Sequence, residues 1–241
     1  LLIINMQTLD ILALAGLRMD GRRPTDLRNL KHKLSTVKSA DGSAYLEQGL
    51  NKVLVMVHGP QEPKKRPTDQ GIEKCNVVCR ITHLPFSGSE WKQRKNGDKR
   101  ILEMEQNVRQ IVEEIVITDT YPRSELSIVV HILESDGSVF CTIINALSLA
   151  LMDAGVAMLD MIASCSVGIV KDKFCLDVTQ LEQNTGGAFI PLVIKSRSDE
   201  IVFMQLDSRL SLEKLEEAME TAVEGCKQIR EYLEAAIKQA R

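Results

Sequence analysis

The sequence predicts an α+β protein in which one structural plan is used about twice. Three observations lead there. Residues 135–155 (SDGSVFCTIINALSLALMDAG) form a run that is apolar on nearly every side, near the middle of the chain. β-branched, strand-like segments lie on both sides of it, and strands recur with amphipathic helices in the order strands–helix–strand–helix, then strands–helix. At 241 residues, 44% of them hydrophobic, the chain is long enough for one large core or two lobes fused without a linker.

The central run opens on a small-residue turn, Asp136-Gly137-Ser138, and closes at Gly155, the pattern of a buried helix with a glycine C-cap. A helix apolar all round must be covered by other elements. Its N-terminus carries unpaired N–H groups and the positive end of the helix dipole, a natural seat for phosphate.

In chain order, residues 1–16 are apolar but interrupted by Asn5, Gln7 and Asp10 and lack a basic leader. They are expected to form an N-terminal docking arm, neither membrane span nor signal peptide, with Met6 as an alternative start. Residues 17–241 are expected to form a single domain with halves 17–134 and 135–241. Pro24 prevents helix in the turn-rich stretch after Gly16. Residues 30–37 alternate weakly as a first strand, and Asp41-Gly42 is a hairpin turn into strand 43–48. Residues 53–58 (VLVMVH) read as a central strand buried on both faces. Residues 61–71, around Lys64-Lys65-Arg66, have loop composition, strand character resumes over 72–84, and 85–98 form a second polar loop.

From Lys99 the period changes. Ile101, Met104, Val108, Ile111, Val112 and Ile115 recur every three or four residues, an amphipathic helix. Residues 125–134 are a strand, the central helix follows, and strands are expected at 161–170, 174–178, 188–194 and 201–206. Leu212, Leu215, Met219, Val223, Cys226, Ile229 and Leu233 mark a long C-terminal helix N-capped by Ser211.

The net charge of −3 argues against a surface that coats nucleic acid as a whole, so any contact must come from a few clustered Lys and Arg. Six cysteines are scattered with no CxxC pair, and there are four histidines. Reduced core thiols in a cytosolic or nuclear protein are expected, and no metal site. His58 and His131 lie inside apolar strands and are expected to be core histidines.

Several motifs in order carry a resemblance: Leu17-Arg18-Met19-Asp20-Gly21-Arg22-Arg23, Ala40-Asp41-Gly42-Ser43-Ala44 with Glu47-Gln48-Gly49, and Val57-His58-Gly59-Pro60 with Glu62. Tyr121-Pro122-Arg123-Ser124, Glu134-Ser135-Asp136-Gly137 with Asn145-Ala146, and Leu151-Met152-Asp153-Ala154-Gly155-Val156 continue it. Together they resemble the RNase PH family, and within it the ring subunits of the eukaryotic exosome. The resemblance implies the RNase PH fold, of the ribosomal-protein-S5-domain-2 class, with two βαβα-like halves packed around central helices. It implies single-stranded RNA as ligand and a hexameric ring of RNase PH-like subunits. It also implies S1/KH cap subunits, an associated hydrolytic nuclease, no membrane, and residence in nucleus, nucleolus and cytoplasm.

Active members cleave the terminal RNA linkage with inorganic phosphate. The resemblance places the phosphate seat at Gly137, Ser138 and Val139, and Val139 stands where the active pattern has arginine. A charge-assisted contact of that kind contributes roughly 1.5–3 kcal/mol, which valine cannot supply. Ser138 on its own reads as a plain helix cap. The family's two carboxylates, six residues apart on an extended segment, correspond to Asp177 and to Gln183. Glu182 is a poor substitute, because a one-residue offset on a strand reverses a side chain. Asp177 is otherwise a solvated or turn-stabilising residue.

Lys99 and Arg100 match the family's RNA-backbone pair, and Arg66, Arg94 and Lys95 lie in loops expected to face the RNA channel. Trp91 would stack on a base or meet a neighbouring subunit. A catalytically inert exosome ring subunit without a cofactor is the expectation. An active phosphate-dependent 3′–5′ exoribonuclease using phosphate and Mg²⁺ is the alternative.

Overall fold

The computed structural model describes residues 17–63, 74–88, 90–91, 98–170, 173–184 and 187–240. The expected arm, together with Arg66, Arg94 and Lys95, lies outside them.

The first sheet holds β1 (Leu30–Leu34), β2 (Gly42–Gln48), β3 (Asn51–Gln61), β4 (Asn76–His83) and β5 (Glu125–Glu134), in the order β1-β2-β3-β5-β4. All its pairings are antiparallel except β4 with β5. α1 (Lys99–Ile115) makes the crossover between those two parallel strands, and α2 (Val139–Asp153) follows β5. The second sheet holds β6 (Ile162–Val170), β7 (Lys173–Leu176), β8 (Phe189–Lys195) and β9 (Ile201–Met204), in the order β7-β6-β8-β9 and wholly antiparallel. A short helix, α3 (Gln180–Gln183), follows β7, and α4 (Leu212–Ala240) ends the described chain.

α2 is the centre of the molecule, as its sequence predicts: every side chain from Cys141 to Leu151 is buried. One hydrophobic cluster runs from Val53, Val55 and Val57 of β3 through Ile143 and Leu147 of α2. It continues to Val167 of β6, Leu192 of β8 and Ile229 of α4. Gly42 permits the close approach of α2 to β2, since a Cβ there would meet the Ala154 backbone nitrogen at 2.3 Å.

Two expectations need correction. β3 is not buried on both faces: its residues alternate between buried and half-buried. The sheet is mostly antiparallel and one face packs on the core, the arrangement that gives a period of two. For the same reason His58 and His131 are not core histidines; both lie on the half-buried side of their strands.

Candidate functional site

The turn before α2 is pressed against the chain that leaves β7. Gly137 has φ +67°, and a Cβ there would lie 2.5–2.6 Å from backbone atoms of Val178, Thr179 and Gln180. Asn51 fixes the turn from the other side, donating to the Gly137 carbonyl at 2.6 Å and accepting from the Asp136 N–H. Ser138 occupies the N-cap position of α2 in a left-handed conformation, φ 52° and ψ 25°, and makes no side-chain cap. Capping serines work from extended backbone. Here the hydroxyl turns inward, donating to the Val178 carbonyl at 2.8 Å and sharing a hydrogen bond with the Ser166 hydroxyl. The plain cap is thereby corrected to a tie between the helix start and the second sheet. Val139, half-buried, packs its side chain against the core.

Asp177 follows β7 directly, also with positive φ (51°). It is not solvated: its relative exposure is 1%. Arg28 grips both carboxylate oxygens, Nε to Oδ2 at 2.9 Å and Nη2 to Oδ1 at 2.6 Å, and the Arg28 backbone N–H adds a bond to Oδ2 at 3.1 Å. The same guanidinium donates to the Asp136 carbonyl at 2.7 Å, so it binds the Asp177 carboxylate to the turn before α2. Burial alone would raise the Asp177 carboxyl, but the hydrogen bonds and charge of Arg28, with a hydrogen bond from Gln48, hold it below the usual carboxylate value.

The segment after Asp177 is helical, not extended. Thr179 caps α3 and Glu182 closes a capping box with it, accepting from the Thr179 N–H at 2.9 Å. Glu182 is buried and takes both Nε and Nη2 of Arg18, the first at 2.7 Å. Burial alone would raise the Glu182 carboxyl; Arg18 and Thr179 bring it below its ordinary value. Glu182 is therefore no substitute carboxylate, because it is spent on Arg18; the strand-face reason for excluding it falls away. Gln183 is half-buried and neutral. The donor set does not fit a two-carboxylate Mg²⁺ site: one oxygen pair is already engaged by a guanidinium and the other position carries no charge.

Lys99 and Arg100 open α1, both exposed, with Asp98 as N-cap accepting from the Arg100 N–H. No hydrogen bond or ion pair among the described residues joins either side chain to Asp177 or Ser138, yet they share an end of the fold with them. Cys75, just before β4, donates to Thr118, just after α1, at 3.2 Å, and Ile81 of β4 donates to Glu105 of α1 at 2.8 Å. α1 therefore runs antiparallel to β4. Lys99 lies about 9 Å beyond Glu105 along the helix, level with the end of β4. β5 is parallel to β4, so its final residues and the 136–138 turn sit at that end too. Trp91 is 70% exposed.

The sequence missed Arg18 and Arg28, whose partners lie 164 and 149 residues away, and Phe86, which is 60% exposed on the loop after β4. The capping box Thr179-Gln180-Leu181-Glu182 was a local signal for α3.

Comparison with known proteins places these features in a family. Residues 26–157 match the model of the 3′ exoribonuclease family, domain 1, and residues 160–225 match domain 2. The chain is 34% identical over 234 residues to the mouse exosome complex component RRP41, covering 97% of this chain and 96% of that one. It is 36% identical over 224 residues to the exosome component Rrp41 of the archaeon Methanopyrus kandleri, 93% of each chain. The fold matches a rice Rrp46 crystal structure with TM-score 0.82 at 22% identity, over 92% of this chain and 100% of that chain. It also matches a chain of an Archaeoglobus fulgidus exosome with RNA bound to the active site, with TM-score 0.79 at 20% identity, over 90% and 93%.

Proposed function

Because this chain belongs to the RNase PH family of 3′ exoribonucleases, we propose that it is an RRP41-type exosome core subunit that guides single-stranded RNA without cleaving it. One observation carries this: the only carboxylate left at the pair of family positions, Asp177, has both oxygens held by Arg28. Attack by phosphate needs a held anion and charges ready for the developing negative charge. Val139 offers no cation, Gln183 no carboxylate, and Asp177 is occupied. What remains is Lys99-Arg100, exposed at the same end of the fold and suited to phosphates of any sequence.

Relatives named as RRP41 exosome components, matched over more than nine-tenths of each chain, support a place in such a complex, and a ring of RNase PH-like subunits is the assembly proposed for it. S1/KH caps, a hydrolytic nuclease that does the cutting, and a nuclear, nucleolar and cytoplasmic location complete the proposal.

The assembled complex containing this chain tests it. Phosphate-dependent release of nucleoside diphosphates is expected to be the same with the native chain and with Asp177→Asn. Release that is strong with the native chain and abolished by that substitution, while native mass spectrometry still finds the subunit in the complex, would show an active phosphorolytic site instead.

A further inference from the structure

Granting the RNA path above, we propose that Phe86 is a platform on which an RNA base stacks at the mouth of this site. An exposed aromatic is unremarkable by itself; its anchoring and its position single it out. Residues 84–88 are pinned at several points. The Leu84 N–H donates to the Ile132 carbonyl at 3.2 Å, and the Ser87 N–H donates to the Leu84 carbonyl at 3.0 Å. The Ser87 carbonyl accepts both the N–H and the hydroxyl of Ser135, at 2.8 and 2.9 Å. Ser87 is buried, while the ring beside it stands 60% exposed.

Ser135 is followed at once by the Asp136-Gly137-Ser138 turn, so the loop is tied within about 10 Å of chain to the start of α2. Lys99-Arg100 stands at the same end. The result is a rigid aromatic face tied to the start of α2, at the end of the fold where Lys99-Arg100 offers charge for phosphate, with little ordering left to do when a ligand arrives. A ring face accepts any base, so it adds hold without reading sequence. Cations at the same end of the fold favour RNA over a protein partner.

The test uses the assembled complex and fluorescence anisotropy with two probes, an oligoribonucleotide and its counterpart carrying abasic riboses in the 3′-terminal segment. Phe86→Ala is expected to weaken the base-bearing probe about tenfold, Phe86→Trp to restore it, and the abasic probe to be unaffected by either. Lys99→Glu with Arg100→Glu should weaken both probes. If the charge reversals act and Phe86→Ala does not, the platform is wrong and the RNA path stands. If neither acts, the RNA path falls and takes the platform with it. Equal weakening of both probes by Phe86→Ala, or loss of the subunit from the complex by native mass spectrometry, assigns Phe86 to folding or to a protein contact and overturns the proposal.

Discussion

The guanidinium of Arg28 and the carboxylate of Asp177 meet side-on, 2.9 Å between Nε and Oδ2 and 2.6 Å between Nη2 and Oδ1, with both side chains almost wholly buried. Their positions are 149 residues apart in the chain. The pair joins the segment before β1 to the segment after β7, and through Asp136 to the start of α2. It is a structural clamp beside the turn that opens α2.

Removing one member of a buried pair strands the other, at about 3–5 kcal/mol. Arg28→Met is expected to destabilise the protein by that amount in urea denaturation. Arg28→Met combined with Asp177→Leu should recover a large part of the loss, because no buried charge is left alone. Additive losses in the cycle would mean that the two side chains are not coupled.

The pair also sets an acid dependence. Asp177 and Glu182 both have native values depressed below the ordinary carboxylate range. A depressed carboxyl contributes stability that is fully present above its unfolded-state value, about 4, and is lost as pH falls through the native value. The stability advantage of the native chain over Asp177→Asn should therefore be constant from neutral pH down to about 5 and shrink below that. Denaturant midpoints measured across this range check it; a gap that widens with acid has the wrong sign.

Gly137 and Gly21 separate backbone strain from steric contact. Both have positive φ, +67° and +77°, but a Cβ at Gly21 meets nothing within 4 Å, whereas one at Gly137 runs into the backbone of residues 178–180. Gly21→Ala should cost about 1 kcal/mol, the strain alone. Gly137→Ala should cost roughly 2–4 kcal/mol, since the neighbouring atoms are backbone and cannot swing aside. Thermal denaturation of the two variants reads the difference.

Periodicity and turn residues were enough to place α1, α2 and β5, because each is long and its pattern is unmixed. That Val139 is apolar and Gln183 neutral is read directly from the sequence. Burial partners were not. Arg18 and Arg28 look like ordinary basic residues in a turn-rich stretch, and only the fold brings Glu182 and Asp177 to them. Ser138 misled for a local reason: its residue type suits a helix cap, but Gly137 and Ser138 both take positive φ and aim the hydroxyl elsewhere. The 180–183 segment is helical where the family resemblance implies an extended one, because Thr179 and Glu182 form a capping box.

The Lys99-Arg100 pair makes a prediction that depends on charge count alone. Each phosphate held by a cation releases counterions, and for single strands the slope of log affinity against log salt changes by about 0.7 per contact. Lys99→Ala with Arg100→Ala in the assembled complex should therefore make that slope shallower by about 1.4. Both residues are exposed and Asp98 caps α1 through the Arg100 backbone N–H, which alanine retains, so the helix start is expected to persist. A titration between low and moderate salt, with complex integrity checked at each point, measures the change. An unaltered slope would mean that these side chains face solvent or a neighbouring subunit, and the path of RNA across this end of the fold would have to be drawn elsewhere.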